Sequence, residues 1–387
     1  MYLLILPLLI FFGIWLFIFF TLSFSITEVS YQINELFVTL FLFSFLSYLI
    51  GLISLSIFPK IKSNSIIYYS ISNSIKSLKK QYSQTILKQS LFFIYIFIFT
   101  IVIFNIISDG LPPLFGFFGY ETINYLEYGR FLGFLIPLSG ILIVISPILT
   151  SKIQSRFAFF VGVLIILLYI NRGPLIFYLF QYIIIKSIIS FYNTEDKYKF
   201  FIKQIVVYSL FLIIVIAIIT IIGEFRSGSE SFRIYLRITD KAFEDYNMAF
   251  LWIVAYVSIP ISNFMHYYEA SSLYELKSIS FLSSLLPAFL NDNLDLKNDI
   301  SNITTTIDGV HSYMYNWFYG LGIYGIFLIN FFYGIMTFLS RKNILIYTLS
   351  INILFFSFFI DYLFYFPTLV QLTFFVYISL IIKRSSK

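Results

Sequence analysis

Five basic residues in two short stretches have the types and spacing that bind a diphosphate. Arg172 sits in Asn171-Arg172-Gly173-Pro174, a turn between two apolar runs. The run before it, 157–170, holds 14 residues. As a helix it rises about 21 Å, against a hydrocarbon core of about 30 Å. Arg172 is therefore expected at the floor of an outward-facing cavity, where a cation is costly unless it meets an anion. The competing reading is a side chain that snorkels to headgroups. Downstream, Arg226, Arg233 and Arg237 fall within twelve positions, and Lys241 follows. If 231–247 is one helix, Arg233 and Arg237 share a face at i, i+4 and Lys241 extends it. A guanidinium grips phosphate with two parallel donors, so a lipid diphosphate at the outer interface suits this stretch. Glu230, Asp240, Glu244 and Asp245 supply the opposing reading, salt bridges on a solvated face.

Proton transfer is the second chemistry on offer. His311-Ser312 is followed after nine residues by Gly322-x-x-Gly325. A histidine just before a span can orient or deprotonate a hydroxyl; Glu224 and Asp308 are carboxylates able to do the same. Trp317 and its aromatic neighbours are read as stacking surfaces for sugar rings or as an interfacial belt. Gly322 and Gly325 mark points where a helix or a lipid chain approaches closely. The chain has no Cys, and its two His are His266 and His311. Thiolate chemistry is excluded, and no metal or other cofactor is expected.

These residues are carried by a chain that is 59% apolar and only 11% charged over 387 residues, against about 25% charged in soluble domains. Fifty phenylalanines, 31 tyrosines and 3 tryptophans add to the hydrophobicity. A soluble enzyme, a nucleic-acid-binding domain and a disordered protein are excluded. The net charge of +6 resides in loops and is not a nucleic-acid signal. An all-α polytopic membrane protein remains. Apolar runs at about 3–22, 36–58, 91–108, 131–149, 157–170, 175–190, 204–223, 317–339, 344–360 and 364–382 predict about ten transmembrane helices. The first lacks a basic leader and a small-residue cleavage site and reads as a span.

Lys and Arg set the orientation. The 59–90 loop carries Lys60, Lys62, Lys76, Lys79, Lys80 and Lys88 with no acid, so it is expected in the cytoplasm. Alternation then places 17 of the 25 basic residues inside, with only Glu195 and Asp196 of the 19 acids. Both termini fall inside. The chain divides into spans one to seven (1–223), one large outer segment (224–316) and spans eight to ten (317–387). The outer segment holds two apolar stretches, 249–262 and 279–290, interrupted by Pro260 and Pro287. Parity allows none or two of them to cross; each is short, and interfacial or re-entrant helices are the first reading. A two-span hairpin, twelve spans in all, is the alternative. The halves do not match as they do in repeat-built transporters.

The Arg172-Gly173 turn between short spans, the large late outer segment and His311-Ser312-x9-Gly322-x-x-Gly325 resemble the O-antigen polymerase and ligase superfamily. The nearest likeness is to the Wzy-type oligosaccharide repeat-unit polymerases. Trp317-Phe-Tyr-Gly320-Leu-Gly322-Ile-Tyr-Gly325 resembles their aromatic-Gly-x-x-Gly entry to the next span, and Asn302-Ile-Thr-Thr-Thr306 their Thr-bearing segment. The likeness implies a GT-C-like glycosyltransferase in the bacterial inner membrane, with its active site facing the periplasm. The implied substrates are undecaprenyl-diphosphate-linked oligosaccharides. Membrane lipids and a chain-length regulator protein are the further partners, with no nucleic acid. Arg172 matches the Arg of the middle outer loop. Arg226, Arg233 and Arg237 are candidates for that of the large loop. His311 matches the ligase-type His that many polymerases lack, which keeps a ligase reading open. A flippase is the alternative from another class, though the near absence of charge within the spans speaks against it.

Overall fold

The computed structural model describes residues 2–28, 30–54, 75–122, 131–270, 312–341, 343–357 and 365–385. Among them fourteen α-helices follow in order: α1 Tyr2–Leu22, α2 Glu35–Ser54, α3 Gln81–Ser108, α4 Leu132–Ile145, α5 Lys152–Leu168, α6 Arg172–Asn193, α7 Lys197–Ser227, α8 Ser229–Leu236, α9 Asp240–Asp245, α10 Met248–Ala270, α11 Met314–Leu321, α12 Ile323–Ser340, α13 Ile344–Phe356 and α14 Phe366–Ser385. The described residues pair as strands only in two isolated bridges, Thr27 with Ile238 and Leu111 with Thr122. Apolar runs in lipid must satisfy their own backbone groups, which selects helix. Six helices are long and apolar enough to cross a membrane: Glu35–Ser54, Ser83–Ser108, Arg172–Asn193, Tyr198–Ile221, Met248–Glu269 and Ile323–Ser340. Four more apolar helices are shorter. By length and composition this is an all-helical polytopic membrane protein.

The described residues form two compact units. The first takes Met1–Asn64, Ile213–Ser340 and Ile353–Tyr365. Here α1 and α2 form an antiparallel hairpin zipped by aromatic pairs: Phe19 with Phe37 at 4.9 Å, Trp15 with Phe41 at 5.2 Å and Phe11 stacked on Tyr48 at 4.8 Å. α2 packs along α12. Gly51 faces the backbone of Phe331 and Gly334 that of Tyr48, each so closely that a Cβ would clash, as small residues at membrane-helix contacts allow.

The second unit takes Ser65–Leu212, Arg341–Asn352 and Phe366–Lys387. α4 is its axis: eleven of its fourteen residues are buried, and α3, α5, α6 and α14 pack on it. Polar side chains tie the helices where no water can. Gln371 donates to Gln181 at 2.8 Å, and Asn352 Nδ2 donates to the Phe177 carbonyl at 2.9 Å.

Three expected elements take another form. The apolar stretch 249–262 does not end at Pro260; α10 runs through it for 23 residues. A proline removes one helical bond and costs about 3 kcal/mol in an exposed helix. Packing offsets that cost here, because 72% of the apolar window of α10 is buried. The expected span 317–339 is two helices that fold back on each other at Gly322. The expected run 157–170 starts earlier, at Lys152, and its 17 residues rise about 26 Å. The stretch 279–290 and the segment 302–306 lie outside the described residues.

Candidate functional site

The arginine corner follows α7. Gly228, at φ 70°, turns the chain into α8. α8 stops after two turns because Arg237 adopts the left-handed conformation, φ 49° and ψ 47°. The Ile238 N–H donates to the Arg233 carbonyl at 3.0 Å and the Arg237 N–H to the Ile234 carbonyl at 3.2 Å, the paired bonds of a Schellman cap. Thr239 then caps α9, its hydroxyl accepting the Ala242 N–H at 3.2 Å. The expectation of one helix over 231–247 is therefore corrected. The chain turns at Arg237, and Arg233, Arg237 and Lys241 do not share one helical face.

The turn still brings two of the three together. Arg233 and Arg237 line an open pocket of about 420 Å³ with Glu28, Glu230, Ile234, Ile238 and Asp240. Arg233 pairs with Glu230 at 3.8 Å and with Asp240, and lies 5.1 Å over the Phe243 ring. Arg237 and Lys241 are exposed, and Lys241 is not part of the lining. Arg226 falls in the last turn of α7.

The corner is fastened from beneath and from the side. Beneath it, Phe232 and Leu236 pack with Ile238, Leu251, Trp252 and Ala255. The Phe232 and Trp252 rings are 3.7 Å apart. The Trp252 indole N–H donates to Glu224 at 3.3 Å, so this carboxylate is engaged in holding the corner. From the side comes the connection between α1 and α2. The Thr239 N–H donates to the Ile26 carbonyl at 3.0 Å, and the Glu28 N–H to the Arg237 carbonyl at 2.9 Å.

The same connection continues along α10. Phe24 packs edge-on against Phe250 at 5.0 Å. The Tyr31 N–H donates to Ser262 Oγ at 3.2 Å, and the Tyr31 hydroxyl to Glu269 Oε1 at 2.6 Å. Asn34 Nδ2 donates to that hydroxyl at 2.8 Å, and the His266 ring stands edge-on at 5.3 Å. Burial, reinforced by the bond to Glu269, pushes the Tyr31 hydroxyl up to about 12. Sequence reasoning missed this arrangement. The i, i+4, i+7 spacing of Ser262, His266 and Glu269 was its only local sign.

Arg172 belongs to the other unit and opens α6. The turn before it is built as the arginine corner is. The Asn171 N–H donates to the Ile166 carbonyl at 3.3 Å and the Ile170 N–H to the Leu167 carbonyl at 2.8 Å, with Ile170 at φ 49°. A β-branched residue in the left-handed region is strained. Such strain gathers at functional sites. Arg172 itself is half-buried.

The aromatic-glycine segment is packing rather than a platform. Trp317 is 3% exposed, and its ring lies against Phe332 at 6.1 Å. Gly322 holds φ 60° and ψ −145°, a region almost confined to glycine, and there α11 turns back along α12. A Cβ on Gly325 would sit 2.0 Å from the Trp317 carbonyl oxygen. At Gly325 the expected close approach is made by the chain's own backbone. His311 and Asp308 lie outside the described residues; Ser312 is buried, and its N–H donates to the Pro260 carbonyl at 3.2 Å. Among the described residues no three His, Asp or Glu side chains converge as a metal site would require. No family model matches the chain, and neither a curated protein nor a solved structure is significantly similar to it.

Proposed function

We propose that the chain is a membrane glycosyltransferase, an O-antigen or capsular polysaccharide polymerase. It joins undecaprenyl-diphosphate-linked repeat units at the periplasmic face of the bacterial inner membrane. In this reading about ten helices cross the membrane, both termini are cytoplasmic and 224–316 is periplasmic, which the distribution of Lys and Arg supports; α10 is long enough to cross, as the two-span hairpin alternative would have it. The arginine corner carries the proposal. Two guanidiniums open on one pocket, held by a left-handed cap and by the backbone of the α1–α2 connection.

The chemistry asks for such a device. An acceptor sugar hydroxyl attacks the anomeric carbon of the donor, and the bond from that carbon to the diphosphate oxygen breaks. Negative charge grows on the departing lipid diphosphate. Guanidiniums held by the turn stabilise it without a metal. Glu230 and Asp240 hold Arg233 in place before substrate arrives and give way to the phosphate. Arg172, in the other unit, offers a guanidinium at the start of α6. The apolar helices supply the lipid-facing surface; among the described residues none of the apolar window of α7 is buried. His311, whose position in the sequence resembles that of the ligase-type His, favours transfer to lipid A core instead.

Deletion of the gene distinguishes the readings. Loss of a polymerase leaves single repeat units that still cross the membrane and still reach their acceptor, so the surface glycolipid carries one repeat and no ladder. Bare core with polymer retained on the lipid carrier would instead identify a ligase. Single units confined to the cytoplasmic leaflet would identify a flippase.

A further inference from the structure

The pairing of Thr27 with Ile238 sets two exposed charges opposite each other at the arginine corner. The Glu28 N–H donates to the Arg237 carbonyl at 2.9 Å, and the Thr239 N–H to the Ile26 carbonyl at 3.0 Å. These two bonds flank the antiparallel bridge between Thr27 and Ile238. Side chains alternate across such a pair. Thr27 and Ile238 are each 4% exposed, and Ile238 joins the packing beneath the corner. Their neighbours Glu28 and Arg237 are exposed and line one pocket.

The backbone at Glu28 is held from two directions. Its own turn is closed by the Ser30 N–H donating to the Thr27 carbonyl at 3.1 Å and by the Thr27 N–H donating to Ser30 Oγ at 3.1 Å. The bond to the Arg237 carbonyl fastens that turn to the left-handed cap of α8. The same cap therefore places Arg237 and Glu28.

The three carboxylates of the pocket are not equivalent. Glu230 and Asp240 are paired with Arg233. The Glu28 carboxylate forms no ion pair or hydrogen bond among the described residues, although two guanidiniums line the same pocket of about 420 Å³. Taking up a proton would cost Glu230 or Asp240 an ion pair, whereas Glu28 has no such bond to lose.

We propose that Glu28 is the general base of the transfer; the proposal rests on the glycosyltransferase reading above. Arg233 and Arg237 meet the departing diphosphate, and Glu28, across the bridge from Arg237, meets the acceptor hydroxyl. The acceptor oxygen bonds the anomeric carbon, and its proton passes to the Glu28 carboxylate. The bond from that carbon to the diphosphate oxygen breaks, and the electron pair leaves with the lipid diphosphate. Glu28 then releases the proton to water.

The test uses full-length protein in lipid nanodiscs, supplied with lipid-linked repeat units. Glu28→Gln keeps the size of the side chain and the backbone bond to Arg237. It is expected to lower kcat by about 100- to 10,000-fold, the usual share of a general base. KM for the lipid-linked donor should change little, because both guanidiniums remain. The thermal melt should match wild type, because the carboxylate bonds nothing in the fold. Formate, a small carboxylate able to enter the space left by the side chain, is expected to raise the turnover of Glu28→Ala and not that of Arg233→Ala. Full turnover in Glu28→Gln overturns the proposal, as does a raised KM with kcat intact, which would make Glu28 a binding group. Should Glu28→Gln fail to fold, a Glu28→Ala turnover that formate does not raise overturns it alone. A wild-type protein that joins no repeat units would overturn the glycosyltransferase reading itself. An active wild type with an active Glu28→Gln would overturn only the base.

Discussion

Replacing Arg233 by Ala separates the two roles open to its guanidinium. As a structural group it contributes little. The side chains of Arg233, Glu230 and Asp240 are 33%, 71% and 81% exposed, so water screens both ion pairs to about 0–1 kcal/mol each. The cation over Phe243, at 5.1 Å, adds about 0.5–1 kcal/mol. The total of roughly 0.5–3 kcal/mol corresponds to at most several degrees in melting temperature. As a donor to the departing diphosphate it contributes more, about 2.7–4 kcal/mol, or 100- to 1,000-fold in rate. Arg233→Ala should therefore melt at most several degrees lower, reach normal protein levels and turn over at 1% of wild type or about tenfold less. Arg233→Lys keeps the charge and loses the fork, so it should recover only a minor part. Asp240→Asn removes a competitor of the phosphate and should leave turnover intact. Turnover with lipid-linked repeat units and a thermal melt of the same samples provide the check. An Arg233→Ala enzyme within about threefold of wild type, a difference below 1 kcal/mol, would refute the assignment and leave the guanidinium a structural group.

Arg172→Ala is expected to abolish ladder formation at normal protein level, with little return in Arg172→Lys; full-length polymer on a gel from Arg172→Ala would leave Arg172 without a role in the transfer. Excess EDTA should leave turnover unchanged, because guanidiniums and not a cation neutralise the leaving group; loss that magnesium or manganese restores would contradict this. Gly325→Ala puts a Cβ 2.0 Å from the Trp317 carbonyl oxygen. The backbone of α11 must then shift, at about 1–3 kcal/mol. Thermal melts should fall by several degrees, and an unchanged melt would argue against the fold-back at Gly322.

The helices were legible because apolar runs in a chain this poor in charge can do little but form them. α2, α3, α6, α7, α13 and α14 each overlap an expected run. What the sequence concealed are the corners. Arg237 and Ile170 are ordinary L-residues in the left-handed region, and nothing in their side chains announces it; the buried residues behind them impose it. Pro260 read as a stop because propensity is local, while the packing that carries α10 through it comes from distant segments. At Gly325 the closely approaching group is the preceding turn of the same chain, while Gly322 serves the reversal through its φ of 60°. Of the site, the arginines were legible by type and not by geometry. Tyr31 and Glu269 meet across 238 positions, a pairing that no spacing rule in a single sequence can expose.

The central claim is that this chain joins lipid-linked repeat units. The most direct measurement incubates purified protein in nanodiscs with undecaprenyl-diphosphate-linked repeat units extracted from cells lacking the gene, and resolves the products by mass. The account predicts carrier lipid bearing two and more repeats, with one free undecaprenyl diphosphate released per linkage formed. Lipid carriers that all remain at one repeat, or glycan that appears only on added lipid A core, would contradict it.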